Sequence, residues 1–530
     1  MVVSMIKKII AGVFLVLLLI GTCGLVYADG KTVVIGLSEE PTDLNPIRSA
    51  GNAVFYDVIK VFNGLIKSDN NLEMIGDLAS SWEQPDPTTI IFHLRDGVKW
   101  HDGTEFTADD VKFTYDLMTS GENVAVFPTS GEYSIISSVD VVDKKTVKFT
   151  LKEASVPFME WLALPILPKH ILAGQDLSST EFWQKPVGTG PYVFDSWNKG
   201  EEIIFKANPN YFGDKPKIET VRYIILPDEN SRINLLKSGD VQAIKILPKS
   251  SKALEGQAGV KIISNPSANW YGINLPYILP QFKDTAVHQA IAYALNKKLM
   301  VDTIFAGHAV PAYGPYRKES WVYNPAIEFN QDVEKAKKLL DDAGWKPGKD
   351  GIREKDGVKL EFELLYVATS EERKDLAVAV ASDLEKIGIR AIPTSKANWD
   401  ELNQNVFHNN AVIMAFGSPF DPDNNNYQIY HSSYIGNGWN NPAGYCNPEV
   451  DRLLEQGRTT SDREERKKIY GQYQKILSED QPTPQILFSN YVFAVSDKLT
   501  GLVPRMGPHG SMGGINGELW WNIEEWDIRS

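Results

Sequence analysis

The chain has 530 residues, 43% of them hydrophobic and 23% charged, with a formal net charge of −14. That length exceeds what one core serves and predicts two or three domains. The negative charge excludes nucleic-acid binding by phosphate neutralisation, and no basic run argues otherwise.

Residues 1–28, MVVSMIKKIIAGVFLVLLLIGTCGLVYA, read as a secretory signal peptide. Lys7 and Lys8 precede an apolar run over residues 9–20, and Val26-Tyr27-Ala28 provides the cleavage offsets. Met5 offers a second start. Cys23 opens an alternative, a lipid anchor, although Thr22 stands where Gly, Ala or Ser is expected before it. A retained anchor helix is the third option. Cleavage after Ala28 removes two lysines and no acid, and leaves Cys446 as the one cysteine. An exported chain with one cysteine forms no internal disulfide, so packing alone must hold it. The 13 tryptophans fit either a large core or an aromatic-lined ligand cleft.

TVVIGL (Thr32–Leu37) reads as a buried strand, followed by a polar loop through Asn52. Within residues 78–115, TIIFHL (Thr89–Leu94) is strand-like, Asp96-Gly97 and Asp102-Gly103 mark turns, and Thr107 with Asp110 forms a capping pair that opens a helix. VRYIIL (221–226), a helix over 230–238 and VQAIKI (241–246) make one α/β unit. A second runs over 360–426. LEFEL (360–364) has the strand period, and a helix over 371–387 puts Leu376, Val380, Leu384 and Ile387 on one face. IRAI (389–392) is a short strand stopped by Pro393, and residues 398–406 are a second helix. AVIMAF (Ala411–Phe416) is the continuous apolar strand of a parallel sheet. Right-handed crossovers make these strands parallel, so the next loop, GSPFDPDNNN (417–426), leaves a carboxyl end, where open α/β sheets bind ligands.

Catalytic signatures are missing: there is no HExxH, GxSxG, GxxxxGK[ST] or CxxC. The eight histidines are scattered, and none makes a metal-ligand spacing on one helix. Trp100-His101-Asp102 reads as a turn with a solvated histidine, since no nucleophile stands beside it in sequence. In the loop, Asp421, Asp423 and Asn425 fit the first three EF-hand positions, but Asn426 and Ser432 occupy the Gly and Glu positions, so the calcium reading fails. The acids then shape the turn by bonding nearby backbone amides.

Several long motifs, in order, resemble one family: LASSWEQ…IIFHLRDGVKWHDGTEFTADDVKFTYD, GTGPYVF (188–194), NPNYFGDKPKIETVRY (208–223) and GYCNPEVDRLLEQG (444–457). The sequence resembles the family 5 extracytoplasmic solute-binding proteins of ABC importers, which include dipeptide-, oligopeptide- and nickel-binding proteins. The resemblance runs from about Lys31 to the C-terminus. It implies an α/β fold, a two-lobe periplasmic-binding-protein clamp of the class II type, with a small α+β domain inserted in lobe one. Lobe one would comprise residues 29–77, 186–270 and 493–530, the inserted domain 78–185 and lobe two 271–492. Ligand would bind between the lobes, and the closed form would dock on a permease whose ATPase is another chain. No cofactor is implied, and the membrane would be met only through a lipid anchor.

Peptide binders of this family place an aspartate in the loop after the 411–416 strand, for the peptide's α-ammonium; the matching position here is Ser418. The nickel branch reads Gly-Ala-Pro-Tyr-Asp-Pro after an aromatic, and Phe416-Gly417-Ser418-Pro419-Phe420-Asp421-Pro422 is similar to it. That branch also uses a loop histidine, with His431 nearby at a different spacing. Its carboxylate-holding arginine has no counterpart in residues 157–168. The expected ligand contacts are therefore Phe416, Ser418 and Phe420, with His431 a metal ligand only for a metal chelate. Trp270, Tyr271 and Asn274 join them at the lobe crossover, where Trp270 and Tyr271 either stack on ligand or pack the hinge. The reading is a binder of peptide-like solute or of a metal chelate, not an enzyme. Its rivals are a secreted peptidase and a sensor that presents ligand to a receptor.

Overall fold

The computed structural model describes residues 31–47, 60–121, 128–406, 410–436, 438–509 and 519–529. The leader, Cys23 and the end of the predicted polar loop lie outside these residues. Among the described residues no helix is long and apolar enough to cross a membrane.

Strand β1 (Thr32–Leu37) starts the first lobe. The chain then builds a separate antiparallel sheet from β2 (Ala79–Asp86), β3 (Thr89–Leu94), β4 (Ile136–Asp143) and β5 (Thr146–Leu151), in the order β2-β3-β5-β4. Helix α1 (Ala108–Thr119) packs against β4 and β5. Its predicted capping pair is present: the Thr107 amide donates to the Asp110 carboxylate at 3.0 Å. The four-turn-residue helix α2 (Phe158–Trp161) follows. Phe92 and Phe149 of this sheet share one apolar core with Val33 and Val221, so the small sheet is welded to the first lobe.

The rest of the first lobe is the hairpin β6 (Tyr192–Asn198) and β7 (Glu202–Ala207), then β8 (Thr220–Ile225), helix α3 (Glu229–Ser238) and β9 (Ala243–Ile246). β1 lies between β8 and β9, parallel to both. Two strands then serve both lobes, β10 (Val260–Asn274) and, near the end of the chain, the strand Gln485–Ser496. The second lobe repeats the parallel arrangement. β11 (Glu361–Val367), helix α4 (Glu371–Glu385), β12 (Arg390–Lys396), helix α5 (Trp399–Val406) and β13 (Ala411–Phe416) place β11 between β12 and β13, parallel to both. Helices α6 (Pro448–Thr459) and α7 (Arg463–Asp480) precede β14 (Gln485–Ser496). The long sheet runs β12-β11-β13-β10-β14-β9-β1-β8-β7-β6.

β10 pairs with β14 along most of its length, but its register shifts between Pro266 and Trp270. Before that shift the pair belongs to the first lobe, where β14 meets β9; after it, β10 meets β13 of the second. Proline lacks an N–H, which suits a break in the ladder.

Two expectations are corrected. Pro393 does not stop its strand: β12 continues to Lys396. β12 is the edge of the sheet, where a missing N–H leaves no ladder bond unmade. His101 is not a solvated turn residue. Its ring Nδ1 accepts the Gly188 N–H at 3.2 Å and its Nε2 donates to the Gly190 carbonyl at 3.0 Å. Burial pushes its pKa down to about 4, which keeps the ring neutral and able to do both.

This also explains GTGPYVF. A Cβ on Gly188 would lie 1.8 Å from the Val61 carbonyl oxygen, and one on Gly190 2.2 Å from that of Lys60. Both glycines let backbone meet backbone where the small sheet joins the lobe. Gly188→Ala is expected to cost about 1–3 kcal/mol, toward the upper end because the clashing atom is backbone. Urea unfolding measures this, and a loss under about 0.5 kcal/mol would show that the joint yields.

Candidate ligand-binding cleft

The loop over residues 417–425 leaves the carboxyl end of β13 and turns at once. Gly417 has φ +133°, and a Cβ there would lie 1.9 Å from the Ala268 carbonyl oxygen on β10. Only glycine fits that approach. The Gly417 N–H donates to Asn425 Oδ1 at 3.1 Å, and its carbonyl accepts the His509 N–H at 2.8 Å. Asp421 Oδ1 accepts the Asp423 amide at 2.8 Å, the local turn bond the sequence predicts.

The carboxylates do more than shape the turn. Asp421 takes a two-pronged contact from Arg466 of α7, both N–H···O distances 2.7 Å, with both side chains buried. Asp423 is held by Arg458 of α6 at 2.7 Å. Asn426 accepts from the Tyr473 hydroxyl at 3.1 Å. The acids of the loop are thus spent on fixing it to two helices, a use that leaves no oxygen cage for calcium. Sequence reasoning missed both arginines because they lie 35 and 45 residues downstream.

Other residues of the loop face the first lobe. The Asn424 amide donates to the Glu160 carboxylate of α2, and the Gln428 amide to Glu132. The Val156 N–H donates to the Arg458 carbonyl at 2.9 Å. Lys249 pairs with Glu371 across the same gap, and Arg463 lies 3.8 Å from Glu73. These contacts join the lobes in a closed arrangement. Between the lobes lies a partly open cavity of about 490 Å³. Ser418, Phe420 and Trp321 line it from the second lobe, and Glu73, Met74 and Glu160 from the first. The size is that of a small-ligand site.

Beyond the cavity, towards the hinge, lies an aromatic and cationic cluster. Arg373, at the start of α4, lies over Tyr271 at 5.4 Å and over Trp399 at 4.8 Å, and its Nε is buried without a hydrogen-bond partner. His509 faces Asn269 Oδ1 through Nδ1 at 2.5 Å. Burial, then the nearby Arg373 and Lys245 charges, push the His509 pKa down to about 3, so the ring is neutral.

The family described as bacterial extracellular solute-binding proteins, family 5 (middle region), matches residues 73–437. The chain belongs to that family. Protein XP55 of Streptomyces lividans is 35% identical over 90% of this chain and 87% of its own. The structure of the oligopeptide-binding protein AppA from Bacillus subtilis, in complex with a nonapeptide, matches with a TM-score of 0.78 at 31% identity, covering 94% of this chain and 99% of that one. The structure of NikZ from Campylobacter jejuni, in complex with Ni(L-His), matches with a TM-score of 0.83 at 30% identity, covering 94% and 100%.

For a family 5 binder, the residues singled out in the sequence fall into three places. Ser418 and Phe420 line the cavity together, and the Ser418 hydroxyl accepts the Phe420 amide at 3.3 Å. Trp270 and Phe416 sit at the hinge, in ring contact at 5.8 Å within the second lobe's core, with Phe416 also 6.0 Å from His509. Tyr271 packs on Phe305 at 5.6 Å. Asn274 and His431 lie apart from these. Asn274 is wholly buried and donates to the Pro442 carbonyl at 3.3 Å. His431 is buried against Tyr427, ring centroids 4.4 Å apart, with Nδ1 on the Ser433 hydroxyl at 2.7 Å and Nε2 3.4 Å from Glu455. The structure also adds Glu160 and Trp321 to the cavity lining, with Arg373 and His509 nearer the hinge. No motif marked them, since each comes from a different segment.

The Arg466–Asp421 pair sets the shape of the loop, so removing one partner strands the other. Arg466→Met leaves a buried carboxylate beside an apolar side chain and is expected to cost about 3–5 kcal/mol. The double variant Arg466→Met with Asp421→Leu is expected to recover most of that loss. Thermal unfolding of the two variants tests this, and equal losses would show that the pair does not hold the loop.

Proposed function

We propose that this protein is the extracytoplasmic substrate-binding component of an ABC importer, and that it captures a short peptide or peptide-like solute between its lobes for delivery to a membrane permease. The observation that carries this reading is the cavity lined from both lobes at the loop after β13. Its walls suit a peptide-like chain: Glu160 and Arg463 bring charges of both signs, and Trp321 and Phe420 offer apolar faces to side chains. The likeness to AppA, which holds a nonapeptide, supports the same reading. Closure stabilises whichever solute makes contacts to both lobes at once. The chain acts as a binder and not as an enzyme, in keeping with its relatives. Export by the leader, with cleavage after Ala28 or lipid attachment at Cys23, puts it outside the cytoplasm. The permease and its ATPase are separate chains.

A second reading is a metal chelate, favoured by the likeness to NikZ with Ni(L-His). Against it, no histidine lines the cavity among the described residues, and His431 spends its ring on Tyr427 and Ser433.

Native mass spectrometry of protein purified without refolding separates the two. Peptides of a few residues are expected in the cleft. Nickel with histidine as the sole bound species would contradict the peptide reading.

A further inference from the structure

Among the described residues, the cavity lining carries four carboxylates and three arginines: Glu73, Glu160, Glu319 and Asp421, with Arg317, Arg463 and Arg466. Each arginine has its own acid. Arg466 holds Asp421 at 2.7 Å, Arg317 holds Glu319 at 3.0 Å and Arg463 lies 3.8 Å from Glu73. Glu160 is the carboxylate left over, and among the described residues no base forms an ion pair with it. Its one side-chain partner is the Asn424 amide, which is neutral.

The Asp421 backbone amide also bonds it and the Arg466 charge lies nearby, but that guanidinium is held by Asp421, so a carboxylate between two lobes with no ion pair of its own is only partly compensated. Burial, and then the nearby Asp421 charge, raise the Glu160 carboxyl well above the ordinary carboxylate range when the cleft holds no ligand. A cation delivered by the ligand would relieve both effects. The other acids lining the cavity are already spent on arginines, and Ser418, which lines it from the loop, is neutral, with its hydroxyl accepting the Phe420 amide.

We propose that Glu160 is the counter-charge for an ammonium group of the bound solute, so that the anchor for the ligand's cationic end stands on the first lobe and not on the loop after β13. This rests on the peptide reading above and deepens it. The arrangement has a mechanical consequence. A ligand held by Glu160 on one side and by the second lobe on the other makes its charge contact only when the lobes close, so the ammonium itself favours closure. The ammonium has two sources in a peptide, the α-amino group and a lysine side chain.

Titration calorimetry with three peptides of one length separates these sources from each other and from a structural role. One peptide has a free amino terminus and no lysine, the second is N-acetylated with one lysine, and the third is N-acetylated without lysine. Wild-type protein is expected to bind a cationic peptide about tenfold more tightly than the third, as one charge-assisted contact gives. Glu160→Gln keeps the shape and an acceptor for Asn424, and is expected to erase that preference while leaving the third peptide within about twofold. The cationic peptide that loses affinity identifies the source. Asn424→Ala breaks the contact across the lobes without removing the carboxylate, and is expected to weaken all three alike. The inference alone is overturned if the cationic preference survives in Glu160→Gln, or if Glu160→Gln weakens all three peptides equally. If no peptide binds the wild-type protein, the peptide reading falls and takes this inference with it.

Discussion

The chain passes between its lobes twice, and both passages are strands of one sheet, Val260–Asn274 and Gln485–Ser496. This constrains everything else. The lobes cannot slide apart or rotate freely, because the crossing strands are hydrogen-bonded to each other, Gln485–Ser496 also to β9 of the first lobe and Val260–Asn274 also to β13 of the second. What remains is bending about the register shift between Pro266 and Trp270. A bulge twists and bends a strand locally, which suits it to a hinge. The loop after Phe416 is pressed against this hinge at Ala268, so movement of the lobes and the shape of the ligand site are mechanically linked.

Contacts across the cleft differ in kind from those that build the lobes. Each lobe has its own apolar core, whereas the described contacts across the cleft include amide–carboxylate bonds, the Val156–Arg458 and His509–Gly417 backbone bonds and surface ion pairs. Such contacts exchange readily for water and contribute little each. The closed form therefore sits near balance with an open one, and a ligand that touches both lobes decides between them. The fixed parts are elsewhere. Two arginine–carboxylate pairs hold the loop to α6 and α7, so the second lobe presents a preformed surface to whatever the first lobe brings to it.

Much of this architecture was legible in the residues. The apolar run Ala411–Phe416 and the alternating strand before it announced a parallel unit, and the loop's place at a carboxyl end followed from handedness alone. Motifs carried the family. Less was legible of the site. Asp421 and Asp423 look in sequence like turn acids or metal ligands, and only the fold brings Arg466 and Arg458 to them. Glu160 sits on a four-residue helix with no periodicity to mark it. His431 stood out because the resemblance to the nickel branch implies a histidine in this region, yet sequence proximity gives no direction to a side chain, and its ring stacks on Tyr427. Pro393 looked like a strand stop because sequence does not say which strand lies at an edge. Local pattern reports elements; contacts between distant segments need the fold.

The central claim is a clamp that closes about two shared strands when solute fills the cleft. Small-angle scattering of ligand-stripped protein, before and after addition of the solute that purifies with it, tests this most directly. The account predicts a smaller radius of gyration in the loaded protein at saturation, as the lobes come together. A tightly bound solute that leaves the radius unchanged would contradict it.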